Sequence, residues 1–214
     1  MSVGDPKETK HVIAGPAGQL ELLQLSPVDP LRSPGVAIIC HPHPLFEGTM
    51  HNKVVYTLSR AFHQLGLGAV RFNYRGVGQS EGEYGHSIGE VADLMAVLEW
   101  VDKGFDHPKI WLAGFSFGAY IAAKGAENHP CEQLFSIAPA VTNQDFASLE
   151  VRCPWTVIQG ELDEVIAPEA VYQWAKNQGD KVDLLRMGQA SHFFHGQLIA
   201  LRSLVEKAVI FSPI

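Results

Sequence analysis

The chain has 214 residues, of which 46% are apolar and 18% charged, enough apolar chain to bury a full globular core and no bias toward disorder. Its formal net charge of −7 argues against nucleic acid or an anionic membrane as the main partner. No uninterrupted apolar run approaches the roughly 20 residues that span a bilayer.

Residues 1–10 are polar, carry both signs of charge and lack the apolar core of a secretory signal. The three cysteines, Cys40, Cys131 and Cys153, have no metal-type spacing and read as reduced thiols rather than a disulfide framework. A cytoplasmic location is the expectation. There is no internal repeat, low-complexity tract or long linker, so residues 1–214 are expected to form a single domain.

Strand-like and helix-like patterns alternate along the chain. Residues 11–14 and 20–25 flank the turn-rich Gly15-Pro16-Ala17-Gly18 and predict a hairpin. After Ser33-Pro34-Gly35, residues 36–40 form a short apolar run suited to a strand buried on both faces. Over residues 52–65 the period changes: Val54, Val55, Leu58, Ala61, Phe62 and Leu65 share one helical face, and Gly66 supplies a stop. Residues 69–73 predict a strand, and Ile88, Val91, Leu94, Met95, Leu98 and Val101 again have helical spacing. A buried strand follows at 109–113, an alanine-rich helix at 119–126, and strands at 133–137 and 155–159. Pro168 is well placed to open a helix to Asn177 that stops at Gly179. Residues 182–185 are the last strand, and Leu198, Leu201, Leu204, Val205, Ala208 and Val209 mark a closing helix. The alternation implies an α/β fold with a mostly parallel twisted sheet of about seven to eight strands and helices on both faces. Active groups on such sheets collect beyond the carboxyl ends of the strands.

One strand end carries Gly114-Phe115-Ser116-Phe117-Gly118, between an apolar strand and a helix. A serine in G-x-S-x-G at such a turn is lifted above the sheet on a tight elbow, beside the unpaired N–H groups of a helix start. A glycine-rich turn with an incidental serine is the competing reading, and the strand before and helix after favour the nucleophile. A serine hydroxyl needs a base, and the base an orienting acid. On this kind of sheet they follow in the order Ser, acid, His.

The loop Ala190-Ser191-His192-Phe193-Phe194-His195-Gly196 offers two bases. His192 is preferred because it falls earlier in the loop, whereas His195 lies near the helix start. The loop after residue 159 holds Glu161, Asp163 and Glu164. Asp163 is the expected acid, three residues past Gly160, and the two glutamates are expected to be solvated.

An oxyanion needs two backbone donors: the N–H after the nucleophile, here Phe117, and one from the loop after the third strand. In Cys40-His41-Pro42-His43-Pro44-Leu45 the prolines have no N–H, leaving His41, His43 and Leu45 nearby, with His43 preferred and Leu45 as its rival. His41, His43 and His51 lack a Cys or carboxylate to complete a metal set, so no metal and no cofactor is expected. Arg75, in Asn73-Tyr74-Arg75-Gly76-Val77-Gly78-Gln79-Ser80, is expected to be a structural hydrogen-bonding hub rather than a substrate ligand.

From about Gln19 onward the chain resembles the α/β-hydrolase family, and within it small bacterial hydrolases with a His-Pro-His-Pro loop, akin to dienelactone hydrolases. The resemblance rests on His41-Pro42-His43-Pro44, Arg75 to Ser80, Gly114 to Gly118, Gly160 to Asp163 and Ser191 to Gly196. It implies a Ser116, Asp163, His192 triad, the assignment reached from the residues themselves. Two departures stand out: dienelactone hydrolases use a Cys nucleophile where this chain has Ser116, and Pro42 occupies a place where many members have Gly after His. Residues 138–154 are too short for an inserted cap, so the site is expected to be lidless and to take a small ester-type substrate. Phe46, Tyr74, Phe115, Phe117, Phe193 and Phe194 are candidate apolar walls. A thioesterase, amidase or peptidase with the same triad, or a catalytically silent binding protein, are the alternatives. The expected partner is a small-molecule substrate, with no nucleic acid or membrane and with a homodimer left open.

Overall fold

A computed structural model describes residues 7–29, 35–105 and 108–211. Residues 1–6 of the polar N-terminus and Ser33 and Pro34 lie outside the described residues. The chain opens with a hairpin, β1 (Glu8–Gly15) and β2 (Gly18–Leu25), followed by β3 (Val36–Cys40), α1 (Lys53–Gln64), β4 (Gly68–Phe72) and α2 (Ile88–Gly104). Then come β5 (Ile110–Phe115), α3 (Phe117–Asn128), β6 (Gln133–Ile137), β7 (Trp155–Gly160), α4 (Pro168–Gln178), β8 (Val182–Met187) and α5 (Leu198–Ala208).

These eight strands form one sheet in the order β1-β2-β4-β3-β5-β6-β7-β8. The hairpin and the β2–β4 pair are antiparallel, and every pair from β4 to β8 is parallel. Parallel strands covered on both faces should be apolar at every position. β3, β5, β6 and β7 are buried throughout. Their side chains alternate between two cores: Val36, Ile38 and Cys40 join the core under α2, α3 and α4, while Ala37 and Ile39 join the core under α1 and α5. This is an α/β-hydrolase fold. Between β6 and β7, residues 138–154 contain only turns and irregular chain, so no cap is inserted there. Among the described residues no helix is long and apolar enough to cross a membrane.

Helix α1 starts at an N-cap: the Asn52 side chain accepts from the Val54 N–H at 2.9 Å. Helix α2 departs from the predicted pattern. Leu94, Leu98 and Val101 are buried as expected, but Ile88 is 82% exposed, and the polar Glu90 and Asp93 are fully buried. The reason lies in the loop after β4. Arg75 grips Asp93 through Nε and Nη2, the latter at 2.7 Å, and the Arg75 N–H donates to the same carboxylate at 2.9 Å. Glu90 accepts the Gly85 N–H at 2.7 Å. Two buried carboxylates thus anchor the long β4–α2 loop, and the helix turns its polar flank inward to meet it.

Removing Arg75 would strand Asp93 as an unpaired charge with no access to water. Arg75→Met should therefore lose about 3–5 kcal/mol of stability in urea unfolding. A loss under about 1 kcal/mol would show that the pair does not hold the loop.

Candidate active site

Four loops converge at the carboxyl edge of the sheet, after β3, β5, β7 and β8. The one after β5 turns abruptly. Ser116 has φ 55° and ψ −115°, a backbone conformation costly for any residue with a Cβ and of the order of 1–3 kcal/mol. Its N–H is tied to the Ile137 carbonyl at 2.8 Å and its carbonyl accepts the Ala119 N–H at 3.0 Å. Both flanking glycines are sterically required. A Cβ on Gly114 would lie 2.0 Å from the Gly118 carbonyl oxygen, and one on Gly118 would lie 2.4 Å from that of Cys40 and 2.5 Å from that of His41. The second contact presses the start of α3 against the end of β3, bringing Ser116 and Phe117 beside the His41–His43 segment.

The same device joins the loops after β7 and β8. A Cβ on Gly160 would sit 2.3 Å from the Ala190 carbonyl oxygen, and that carbonyl also accepts the Leu162 N–H at 3.0 Å. Asp163 and His192 meet as a result, with His192 Nδ1 2.8 Å from Asp163 Oδ2. The carboxylate is saturated with donors. Oδ1 takes the N–H groups of Val165 and Ile166 at 2.9 and 2.8 Å, and Oδ2 also takes the Gln159 side-chain amide at 2.9 Å. Burial works to raise its pKa, but the hydrogen bonds from His192, Ile166 and Val165 and the attraction of the imidazole prevail, and the carboxyl is held below its ordinary value. A carboxylate can only accept, so Nδ1 carries the proton and Nε2 is left as the acceptor.

Aromatic rings enclose this imidazole. Phe115 lies 5.1 Å from it and Phe193 stands edge-on at 5.1 Å, while His192 itself is 3% exposed. His195 is exposed and stacks on the outer side of Phe193 at 5.9 Å. The structure thus brings His192, not His195, to the carboxylate. Of the expected walls, Phe46 is 80% exposed, whereas Tyr74, Phe115, Phe117 and Phe194 are core.

The loop after β3 holds its histidines by different means. His41 is fully buried; its Nδ1 lies 2.7 Å from the Pro42 carbonyl and its Nε2 accepts the Tyr74 N–H at 3.2 Å. Both nitrogens are engaged by backbone, so this ring is a brace. Burial pushes its pKa down to about 3. His43 Nδ1 accepts the Leu45 N–H at 3.2 Å, which leaves Nε2–H to donate to the Tyr84 hydroxyl at 3.1 Å. Its ring also packs against Phe117 at 4.7 Å and Phe46 at 4.9 Å. The Leu45 N–H is thus occupied within the loop. The His43 carbonyl accepts from Phe46 and Gly48, and its N–H donates to no protein group among the described residues.

Two contributors went unanticipated. Gln159 is a fully buried strand residue whose amide supports Asp163. A glutamine inside an apolar strand, adjacent to the acid loop, was the available signal. Glu164, expected to be solvated, accepts the His192 N–H at 3.1 Å because the crossing loops bring it over the base. Glu161 does face solvent, paired with Arg186 at 2.8 Å.

Residues 48–150 match the family described as serine aminopeptidase, S33. An α/β serine hydrolase homologue from Coxiella burnetii shares 48% identity, covers 94% of this chain and 97% of its own, and superposes with a TM-score of 0.91. A Xanthomonas campestris α/β serine hydrolase without a lid shares 40% identity over 94% of this chain and 93% of its own, with a TM-score of 0.88. A Rickettsia prowazekii protein is 33% identical over 191 residues, 84% of this chain and 79% of its own. The chain belongs to the family of small lidless α/β serine hydrolases.

Because folded His41 resists a proton that an unfolded His accepts near pH 6.5, its contribution to stability is full above that pH and is lost on descending toward pH 3. Stability should fall by about 1.4 kcal/mol per pH unit from this group across that window. Urea titrations between pH 7 and 4 should show a shallower slope in His41→Gln, by about one proton; an unchanged slope would mean that His41 is not held neutral.

Proposed function

We propose that the protein hydrolyses small carboxylic esters through Ser116, His192 and Asp163 by way of an acyl-enzyme. The observation that carries this reading is a strained Ser116 (φ 55°) on the turn after β5 together with a buried His192–Asp163 hydrogen bond of 2.8 Å between the loops after β8 and β7, all at the carboxyl edge of the sheet. Ser116 Oγ attacks the ester carbonyl while His192 Nε2 takes its proton. Asp163 keeps the imidazole in the Nδ1–H tautomer and stabilises its cation. The N–H groups of Phe117 and His43 receive the oxyanion, the free state of the His43 N–H supporting its choice over Leu45. His192 then protonates the departing alkoxide, and a water, deprotonated by the same imidazole, releases the acid. The open edge of the sheet suits small or protruding substrates. In this reading one domain spans the chain, needs no cofactor, and works in the cytoplasm, where thiols stay reduced. The description of the matched family favours a second reading, an aminopeptidase with the same triad.

A fluorophosphonate probe should label the parent but neither Ser116→Ala nor His192→Ala, and Ser116→Ala should cost at least about 10⁴-fold in turnover. Matched ester, thioester and amide substrates then separate the two readings, with the ester expected to be fastest. A folded parent that stays unlabelled and cleaves none of them would overturn both.

The role of His43 has its own test. Its φ of −56° is one that proline adopts. His43→Ala keeps the N–H and removes the ring, whereas His43→Pro removes both. Turnover should survive in the alanine variant within about tenfold and fall a further 10²–10³-fold in the proline variant, roughly the worth of one oxyanion donor. Equal activities would exclude that donor.

A further inference from the structure

The other edge of the sheet carries a second chemical feature. Cys131 lies just before β6 and Cys153 just before β7, at the amino ends of neighbouring parallel strands and away from Ser116. The register Leu134↔Trp155 and a hydrogen bond from the Leu134 N–H to the Pro154 carbonyl at 2.9 Å fix the two backbones side by side. Their Sγ atoms are 2.9 Å apart. A disulfide needs an approach to roughly 2.0 Å, about 1 Å less than the present separation. Both thiols are half-buried and line an open hollow of about 410 Å³, together with His129, Pro130 and Arg152, so small reagents have access to them. The third thiol, Cys40, is fully buried in β3.

We infer that Cys131 and Cys153 are an oxidisable pair, a covalent modification site that low-molecular-weight disulfides of the glutathione type convert into an intramolecular disulfide. The pair is already differentiated. Cys131 donates its S–H to Cys153, which holds the Cys153 thiol below its ordinary pKa and, with burial, pushes that of Cys131 up. Cys153, as thiolate, attacks one sulfur of the reagent; the reagent's S–S bond breaks and one thiolate leaves, taking up the proton that Cys153 gave up. Cys131 then loses its proton and attacks Cys153 Sγ, and the second reagent thiol departs with that proton. Two protein thiols are oxidised and one reagent disulfide is reduced to two thiols. Burial pushes the Cys40 thiol up to about 12, so it does not compete. The bond closes the segment from Cys131 to Cys153, a sequence separation of 22 that includes β6 and the chain leading to β7. A cross-link of that span should raise Tm by about 6–10 °C. In a reducing compartment it forms only under oxidative load.

The purified protein is equilibrated with mixtures of reduced and oxidised glutathione, quenched with iodoacetamide after unfolding, and read by intact mass and peptide mapping. The expected result is loss of two hydrogens, a peptide pair joining Cys131 to Cys153, alkylation confined to Cys40, and a Tm gain that dithiothreitol reverses. Cys131→Ser and Cys153→Ser should each melt at the same temperature in both buffers. Alkylation of all three cysteines at the most oxidising ratio would overturn the inference. So would a persistent glutathione adduct or a link to Cys40. None of these readouts depends on what Ser116 does.

Discussion

Backbone-to-backbone contact where no side chain fits is the constraint on which the site depends. Gly118 lets the first turn of α3 rest on the carbonyls that end β3, and Gly160 lets the loop after β7 rest on the one that precedes His192. Each contact joins two loops that are distant in sequence and that carry complementary groups. Without the first, Ser116 and the His43 N–H have no shared location. Without the second, Asp163 and His192 do not meet. The sheet supplies the common edge, but a parallel sheet alone leaves its loops at strand spacing of roughly 5 Å and more; glycine brings them closer.

Buried polar groups then fix orientation where packing cannot. Asp163 is surrounded by donors from Val165, Ile166, Gln159 and His192, so its carboxylate has a single orientation and the imidazole follows it. His41 plays the corresponding part in the loop after β3, bridging the Pro42 carbonyl and the Tyr74 N–H. Arg75 and Asp93 hold the β4–α2 loop, from which Tyr84 reaches the His43 ring. Each of these charges or rings is satisfied by named partners, which is what makes its burial tolerable.

Much of this was readable from the chain. Continuous apolar runs located the buried strands and helical spacing located the helices, because a sheet covered on both faces leaves little freedom in its apolar runs. The candidates Ser116, Asp163 and His192 were chosen because each follows a strand, and of these Asp163 and His192 meet at 2.8 Å; Arg75 read correctly as a structural hub. Helix α2 was misread at Ile88, and the burial of Glu90 and Asp93 went unremarked, since apolar periodicity cannot anticipate carboxylates drawn inward by an arginine and a backbone N–H on another loop. Gln159 and Glu164 escaped for the same reason: their partners are set by loops crossing in space. The hydrogen bond that occupies the Leu45 N–H within the loop was invisible to spacing.

The steric demands of the turn at Ser116 fall on its neighbours and on its own backbone. Gly114 and Gly118 must be bare, and the chain must pass through positive φ, yet none of these contacts involves the atoms beyond Cβ at position 116. The scaffold therefore fixes the backbone at position 116 and makes no steric demand on the element carried beyond Cβ. A sulfur at position 116 would occupy the same perch without refolding the turn.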